Sequence, residues 1–323
     1  MKAITYHRYG PPDVLELEEV EAPVVGDGDV LVRVRTAAAN PRDWHLMRGL
    51  PYVVRPQFGL RRPRKSGLGG DVAGWVEAVG RDVTRFRPGD EVFADIETGG
   101  FAEYARVPED VLALKPANLT FEQAAAVPLA ALTALQGLRD HGRLQAGQRV
   151  MIVGASGGVG SFAVQIAKAF GAQVTGVCST RNLDLVHSLG ADQVVDYTRE
   201  DYARPGRRYD LVFQLGGTRS PWDLRRALTA RGTLLSSSGD SDGRWIGPVG
   251  RMLQAVTLSP FVGQRLVAFL ARSSRQDLEV VRELVESGRV SPVIDRTYPL
   301  SETPEAIRHL ETGHARGKIV ITV

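Results

Sequence analysis

The chain has 323 residues, 43% of them hydrophobic and 24% charged, which suits about two globular domains and excludes disordered and fibrous classes. No stretch approaches the ~18 uninterrupted apolar residues of a membrane helix, and Met1 to Tyr9 reads as an amphipathic strand rather than a leader. The net charge of +3, from 40 basic and 37 acidic residues, is too even for a nucleic-acid-binding face, and the single cysteine, Cys178, excludes disulfides and multi-thiolate zinc sites and points to the reducing cytoplasm.

The first 120 residues read as a β-module: short β-branched runs such as Val30 to Val34 and Val72 to Val79 alternate with Gly, Pro and Asp punctuation. The basic run Arg55 to Lys65 reads as a solvated loop, with a lid over an anionic ligand as the alternative. At Thr120 the texture changes. Thr120 is an N-cap with Gln123 three residues on, and an Ala-rich helical segment runs from Glu122 through Leu138.

Next come a buried strand at Gln148 to Gly154, a helix at Val159 to Phe170 and a second buried strand at Gln173 to Val177, one βαβ unit. The theme continues with a helix at Leu183 to Leu189, strands at Gln193 to Val195 and Asp210 to Leu215, a helix at Trp222 to Ala230 and strands at Thr233 to Ser238 and Leu266 to Ala271. Such alternation buries both faces of a sheet, so a doubly wound parallel sheet is expected. A helix at Gln276 to Glu286 leads to strands at Val293 to Tyr298 and Lys318 to Val323, which return to the texture of the opening module. The fold class is therefore α/β, a β-rich domain plus a doubly wound one.

The strongest local signal is the turn Gly154-Ala155-Ser156-Gly157-Gly158-Val159-Gly160 between a strand and a helix. Ala155 replaces the first glycine of the usual dinucleotide fingerprint. Gly157 lets the backbone approach a pyrophosphate, Gly160 lets helix and strand pack closely, and the helix N-terminus holds negative charge. At the end of the next strand, where NAD enzymes place a carboxylate on the ribose, the chain reads Cys178-Ser179-Thr180-Arg181. Two hydroxyls and a guanidinium suit an extra 2′-phosphate, so NADP(H) is favoured over NAD(H). Asp184 dissents but falls inside the following helix.

Asn40-Pro41-Arg42-Asp43, Leu68 to Gly74, Val76 to Gly80, Arg87 to Val92, the glycine turn and Gly317 to Val320 together resemble the zinc-independent quinone oxidoreductases of the medium-chain dehydrogenase/reductase superfamily, in colinear order along nearly the whole chain. The resemblance implies a GroES-like catalytic domain (1–124, completed by 273–323), a Rossmann domain (125–272), NADPH in the cleft and a homodimer. Zinc-using relatives carry a cysteine where Asn40 stands and a His-Glu pair where Gly70-Asp71 stands, so no metal is expected. Without a Lewis acid, hydride donation to an electron-poor acceptor is the chemistry that remains, a quinone or an activated alkene.

By position in the motifs, Asn40, Asp43 and His45 border the nicotinamide, His45 standing where relatives often carry an aromatic hydroxyl. Tyr52 is a second proton-donor candidate. On the cofactor side the resemblance adds Thr133, Tyr197, Leu215, Gly216, Gly239, Pro260, Phe261, Val262 and Lys318. The alternatives within this reading are an enone, 2-alkenal or enoyl-thioester reductase and, in another class, a non-catalytic NADPH-binding sensor or scaffold.

Overall fold

The computed structural model describes residues 1–203, 206, 208–237, 243, 245, 247, 250, 254 and 262–323. In chain order the elements are β1 (Lys2–Thr5), β2 (Glu16–Glu19), β3 (Asp29–Ala39), α1 (Pro41–Arg48), α2 (Arg55–Phe58), β4 (Asp71–Val79), β5 (Glu91–Asp95), β6 (Tyr104–Pro108), β7 (Leu112–Leu114), α3 (Phe121–Ala125) and α4 (Pro128–Gln136). Then follow β8 (Arg149–Val153), α5 (Gly158–Ala169), β9 (Gln173–Cys178), α6 (Leu183–Ser188), β10 (Gln193–Asp196), β11 (Tyr209–Gln214), α7 (Pro221–Leu224), β12 (Leu228–Ser236), β13 (Arg265–Ala268), α8 (Arg275–Glu286), β14 (Ile294–Pro299), α9 (Thr303–Glu311) and β15 (Lys318–Thr322).

The chain divides into two compact units, one of Met1–Leu132, Ser273–Glu286 and Pro292–Val323, the other of Thr133–Arg272 and Ser287–Ser291. In the first, β3 is the organiser. Its alternation buries Val30, Val32 and Val34 and exposes Arg33 and Arg35, the period-two pattern of a half-buried strand. It pairs antiparallel with β4, β6 and β15, so the C-terminal strand lies beside a strand laid down near the start of the chain. Ile4, Val32, Met47, Val72, Val92, Phe101, Ile319 and Ile321 share the core beneath. Each such side chain contributes about 1.5–3 kcal/mol of burial free energy.

The second unit holds a sheet in the order β10-β9-β8-β11-β12-β13, parallel throughout. Counted from β8 this is 3-2-1-4-5-6, the order of the doubly wound dinucleotide-binding sheet, whose strand direction of growth reverses between β8 and β11. Met151, Val153, Val177, Val212 and Leu234 form its core.

Three expectations are corrected. The Ala-rich segment is not one helix: α3 stops at Ala125, Pro128, which has no N–H to donate, opens α4, and Gly137–His141 widens into a π-turn. The helix expected at Trp222 to Ala230 ends at Leu224, passes through a 3-10 turn and becomes β12 at Leu228, because Leu228 is buried beside Tyr209. The strand expected to reach Ala271 ends at Ala268.

Candidate active site

In the first unit, the segment after β3 builds a buried polar cluster. Asn40 caps α1, and Pro41 takes the first helical position, where its missing N–H costs nothing. The Asp43 side chain reaches back to accept from the Asn40 N–H at 2.7 Å, and its other oxygen accepts from the Gly69 N–H at 3.0 Å. Asp43 thus ties the helix start to the loop before β4. It is 1% exposed, and burial pushes its carboxyl from 3.8 up to about 6. Both carboxylate oxygens are engaged by backbone amides, the geometry of a positioning group.

The Asn40 side chain donates to Asp71 Oδ2 at 2.9 Å, and the ammonium of Lys318 reaches both Asn40 Oδ1 at 2.5 Å and Asp71 Oδ2 at 2.9 Å. The other Asp71 oxygen accepts from the Leu129 N–H at 2.9 Å. Lys318 and Asp71 are 3% and 0% exposed, so this is a buried ion pair with its remaining lone pairs hydrogen-bonded. Beside it Arg42 crosses over Gly70 to Asp95 Oδ1 at 2.6 Å and the Ile96 carbonyl at 2.7 Å, while Ser273 donates to Asp95 Oδ2 at 2.6 Å. A side chain at Gly70 would begin 1.7 Å from the Arg42 guanidinium.

These residues do not fit zinc. The positions where zinc-using relatives place ligands hold an amide, a glycine overlain by arginine, and a carboxylate already neutralised by ammonium. Among the described residues no group of three His, Cys, Asp or Glu side chains is arranged to hold a metal ion. Lys318, placed with the cofactor residues by resemblance, has its charge committed inside this cluster.

His45 and Tyr52 lie at and just beyond the end of α1. His45 Nδ1 sits 3.1 Å from the Leu50 carbonyl oxygen and its ring stacks on Trp44 at 3.6 Å. A carbonyl can only accept, so Nδ1 carries the proton and the neutral imidazole has Nε2 as an acceptor. Arg55 lies over the rings of both Tyr52 and Tyr9, at 4.5 and 4.6 Å.

In the second unit, the glycine turn occupies the end of β8. Gly154 takes φ +85°, and a side chain there would come within 3.2 Å of the Gly216 amide nitrogen, so Gly154, Leu215 and Gly216 meet where the strand order reverses. A Cβ on Gly160 would lie 2.0 Å from the Gly154 carbonyl oxygen, which makes Gly160 the close-packing glycine. Gly157 is different: among the described residues the only atom within contact range of its missing side chain is the Gly154 oxygen, at an ordinary 3.5 Å. The first-turn amides of Gly158, Val159 and Gly160 therefore open a 12-residue helix with no side chain capping them. Ala155 is accommodated in place of glycine because β9 carries Gly176 opposite it, where a Cβ would come within 3.1 Å of the Ala155 methyl.

Ser156 is held by Asn182, whose amide donates to Ser156 Oγ at 2.9 Å and Ser179 Oγ at 3.4 Å. Asn182 is 5% exposed and couples the turn to the loop that follows β9. Sequence reasoning missed it; the signal was a lone amide two residues past Arg181's neighbour Thr180. Arg181 is exposed, Ser179 is half-buried and Tyr197 is 54% exposed. Thr180 is engaged within the protein. Its one hydroxyl proton is donated to Asp196, which also accepts from the Thr198 N–H and hydroxyl. Parallel pairing aligns Asp196 on β10 with Cys178, so a carboxylate absent from β9 arrives from the next strand. These hydrogen bonds hold its carboxyl below the usual range. Cys178 is buried and its thiol is pushed up to about 11, which leaves it unreactive.

Thr133 is buried on α4, and Val262 packs against the second core. Gly239, Pro260 and Phe261 lie outside the described residues.

Residues 26–117 match the family described as alcohol dehydrogenase GroES-like domain, and 189–321 the family described as zinc-binding dehydrogenase. A chloroplastic quinone-oxidoreductase homolog of Spinacia oleracea is 36% identical over 334 residues, 99% of this chain and 98% of that protein. The chloroplastic NADPH-dependent alkenal/one oxidoreductase of Arabidopsis thaliana is 36% identical over 99% of this chain and 79% of its own length. The solved quinone oxidoreductase of Coxiella burnetii superposes with a TM-score of 0.88 at 31% identity, covering 100% of this chain and 99% of that one. The chain belongs to the quinone oxidoreductase-like members of the medium-chain dehydrogenase/reductase superfamily.

Proposed function

We propose that the protein is an NADPH-dependent oxidoreductase that passes hydride to a quinone without a metal ion. The observation that carries this is the turn at the end of β8, where open space at Gly157, close packing at Gly160 and uncapped amides of α5 form a cradle for a pyrophosphate at the reversal point of the sheet. Ser156 and the helix amides would hold the phosphates there, with Ser179 and Arg181 at the 2′-phosphate. Bound there, NADPH supplies the hydride.

In the first unit the chain's own groups orient and neutralise. The Lys318 ammonium supplies the positive charge beside Asp71 and Asn40 that a metal would otherwise bring, which supports zinc independence. Asp43 and Asn40 hold the start of α1 in register, and this reading assigns His45 and Tyr52, on and after α1, to the acceptor side. Since neutral His45 has Nδ1 as its donor, it accepts at Nε2 and gives up a proton only as imidazolium. Placement alone can supply about 7–11 kcal/mol of a barrier, enough for a site with no dedicated acid.

The name of the Arabidopsis relative favours a second reading in the same class, reduction of an alkenal or enone. Steady-state kcat/KM on 1,2- and 1,4-quinones against enals, enones and acyl thioesters separates the two. Tight NADPH binding with no turnover on any of them overturns both and leaves the sensor or scaffold. The same reading takes the protein to be a cytoplasmic homodimer with a small-molecule substrate, no nucleic acid and no membrane; the family resemblance supports the dimer and the cysteine content the compartment. Light scattering after size-exclusion chromatography and cell fractionation check those two points.

A further inference from the structure

The basic run between α2 and β4 does more than float in solvent. Arg62, Pro63, Arg64 and Ser66 form one wall of a cavity of about 440 Å³, and Tyr6 and His7, just past β1, form the other. The walls are tied down by the backbone. The Arg64 N–H donates to the Phe58 carbonyl at 2.8 Å, and Gly59 lies so close to the Arg62 carbonyl that a Cβ would sit 1.9 Å from it. The Tyr6 N–H donates to the Ser66 carbonyl at 2.9 Å, and the Tyr9 hydroxyl donates to the Gly59 carbonyl at 2.7 Å.

The lining includes two guanidiniums, a phenol and a serine hydroxyl. Among the described residues no carboxylate pairs with Arg61, Arg62 or Arg64; the one side-chain bond of Arg64 runs to the Gln57 carbonyl at 3.2 Å. Lys65 is neutralised by Glu97. Glu18 accepts from Thr5 at 2.5 Å and lies 3.2 Å from His7 Nε2, so it touches the lining through His7 without being one of the lining residues. Tyr6 is 4% exposed, and burial, reinforced by the charges of Tyr9 and Asp43, keeps its phenol protonated and a donor. The lining segment is tied to α1: three residues past Ser66 the Gly69 N–H donates to Asp43 Oδ1 at 3.0 Å, and the ring of Tyr9 packs on Gly49 at the C-terminal cap of that helix, which carries His45.

We propose that this cavity binds an oxyanion group carried by the acceptor substrate, so that the preferred acceptors are anionic. Two guanidiniums with no carboxylate paired to them among the described residues, a phenol and a serine hydroxyl provide several hydrogen bonds, two of them charge-assisted, to a carboxylate, sulfonate or phosphate. This rests on the reading that the protein reduces a small acceptor, and one arm of the test is independent of it. The first arm compares kcat/KM for 1,4-naphthoquinone-2-sulfonate and 1,4-naphthoquinone. The wild type favours the sulfonate, and Arg62→Ala/Arg64→Ala lowers that preference about tenfold or more, with Arg62→Lys/Arg64→Lys recovering part of it. Raising the ionic strength lowers it too.

The second arm titrates cofactor-free protein with naphthalene-2-sulfonate, which cannot be reduced, and with inorganic phosphate, by calorimetry. Binding of the sulfonate that weakens in the alanine pair supports the site even if no quinone is turned over. Equal affinity in wild type and variant, or a kinetic preference that the substitutions leave untouched, overturns it. Phosphate binding that matches the sulfonate and does not compete with the quinone overturns the assignment to the substrate.

Discussion

Lys318→Met tests the claim that a buried ammonium, and not a metal, neutralises the core of the first unit. Methionine keeps the length of the side chain and removes the charge, leaving Asp71, 0% exposed, with only the Asn40 side chain and the Leu129 amide as hydrogen-bond partners among the described residues. Taking one partner from a buried ion pair costs about 3–5 kcal/mol, because the other charge stays buried and uncompensated. For a unit of more than 150 residues each kcal/mol corresponds to a Tm change of about 2–4 °C, so the predicted loss is roughly 6–20 °C. The assay is calorimetric unfolding without NADPH, which would otherwise stabilise the native state by mass action. Lys318→Met/Asp71→Asn, which removes both charges, is expected to regain at least half of the loss. A drop below about 2 °C, or a double variant no more stable than the single one, refutes the reasoning.

The two glycines of the turn separate packing from binding. Gly160→Ala places a methyl 2.0 Å from the Gly154 oxygen and should cost about 1–3 kcal/mol of stability in urea titration, whereas Gly157→Ala meets open space, leaves the urea midpoint in place and weakens NADPH at least tenfold; equal behaviour of the two contradicts the assignment. Arg181→Ala should raise the dissociation constant for NADPH about ten- to a hundredfold and leave that for NADH unchanged, so an unaltered ratio means that the 2′-phosphate lies elsewhere. Asp43, raised from 3.8 to about 6, binds its proton more tightly folded than unfolded, so its contribution is full below about pH 4, declines as pH rises through about 6, and amounts to ~3 kcal/mol. Asp43→Asn should flatten the fall in stability between pH 4.5 and 7.5 by about 2 kcal/mol, the share of that contribution lost over this range, and an unchanged slope in urea titrations at the two pH values would show that Asp43 carries no raised pKa.

The turn was legible because it is local. Seven consecutive residues set between an apolar strand and an amphipathic helix specify both a conformation and a ligand chemistry, and β8, α5 and β9 lie within two residues of their expected bounds. What composition and periodicity hid was anything assembled across the chain. Lys318 is 278 residues from Asn40, and a lone lysine before a terminal strand looks like a surface charge until β15 is laid antiparallel beside β3. Asp196 was invisible for a similar reason. A search along β9 for a ribose-binding carboxylate finds none, yet parallel pairing puts β10 alongside and brings Asp196 within hydrogen-bond reach of Thr180. The errors in helix length share a local cause, since alanine and leucine favour helix but Pro128 and the burial of Leu228 decide where it stops.

Single-turnover mixing of metal-stripped protein and NADPH with a limiting quinone, followed by NADPH absorbance, bears most directly on hydride transfer without a metal. The account predicts one NADPH consumed per hydroquinone formed, at a rate that added zinc does not raise. No consumption by the stripped protein, restored by zinc, would contradict it.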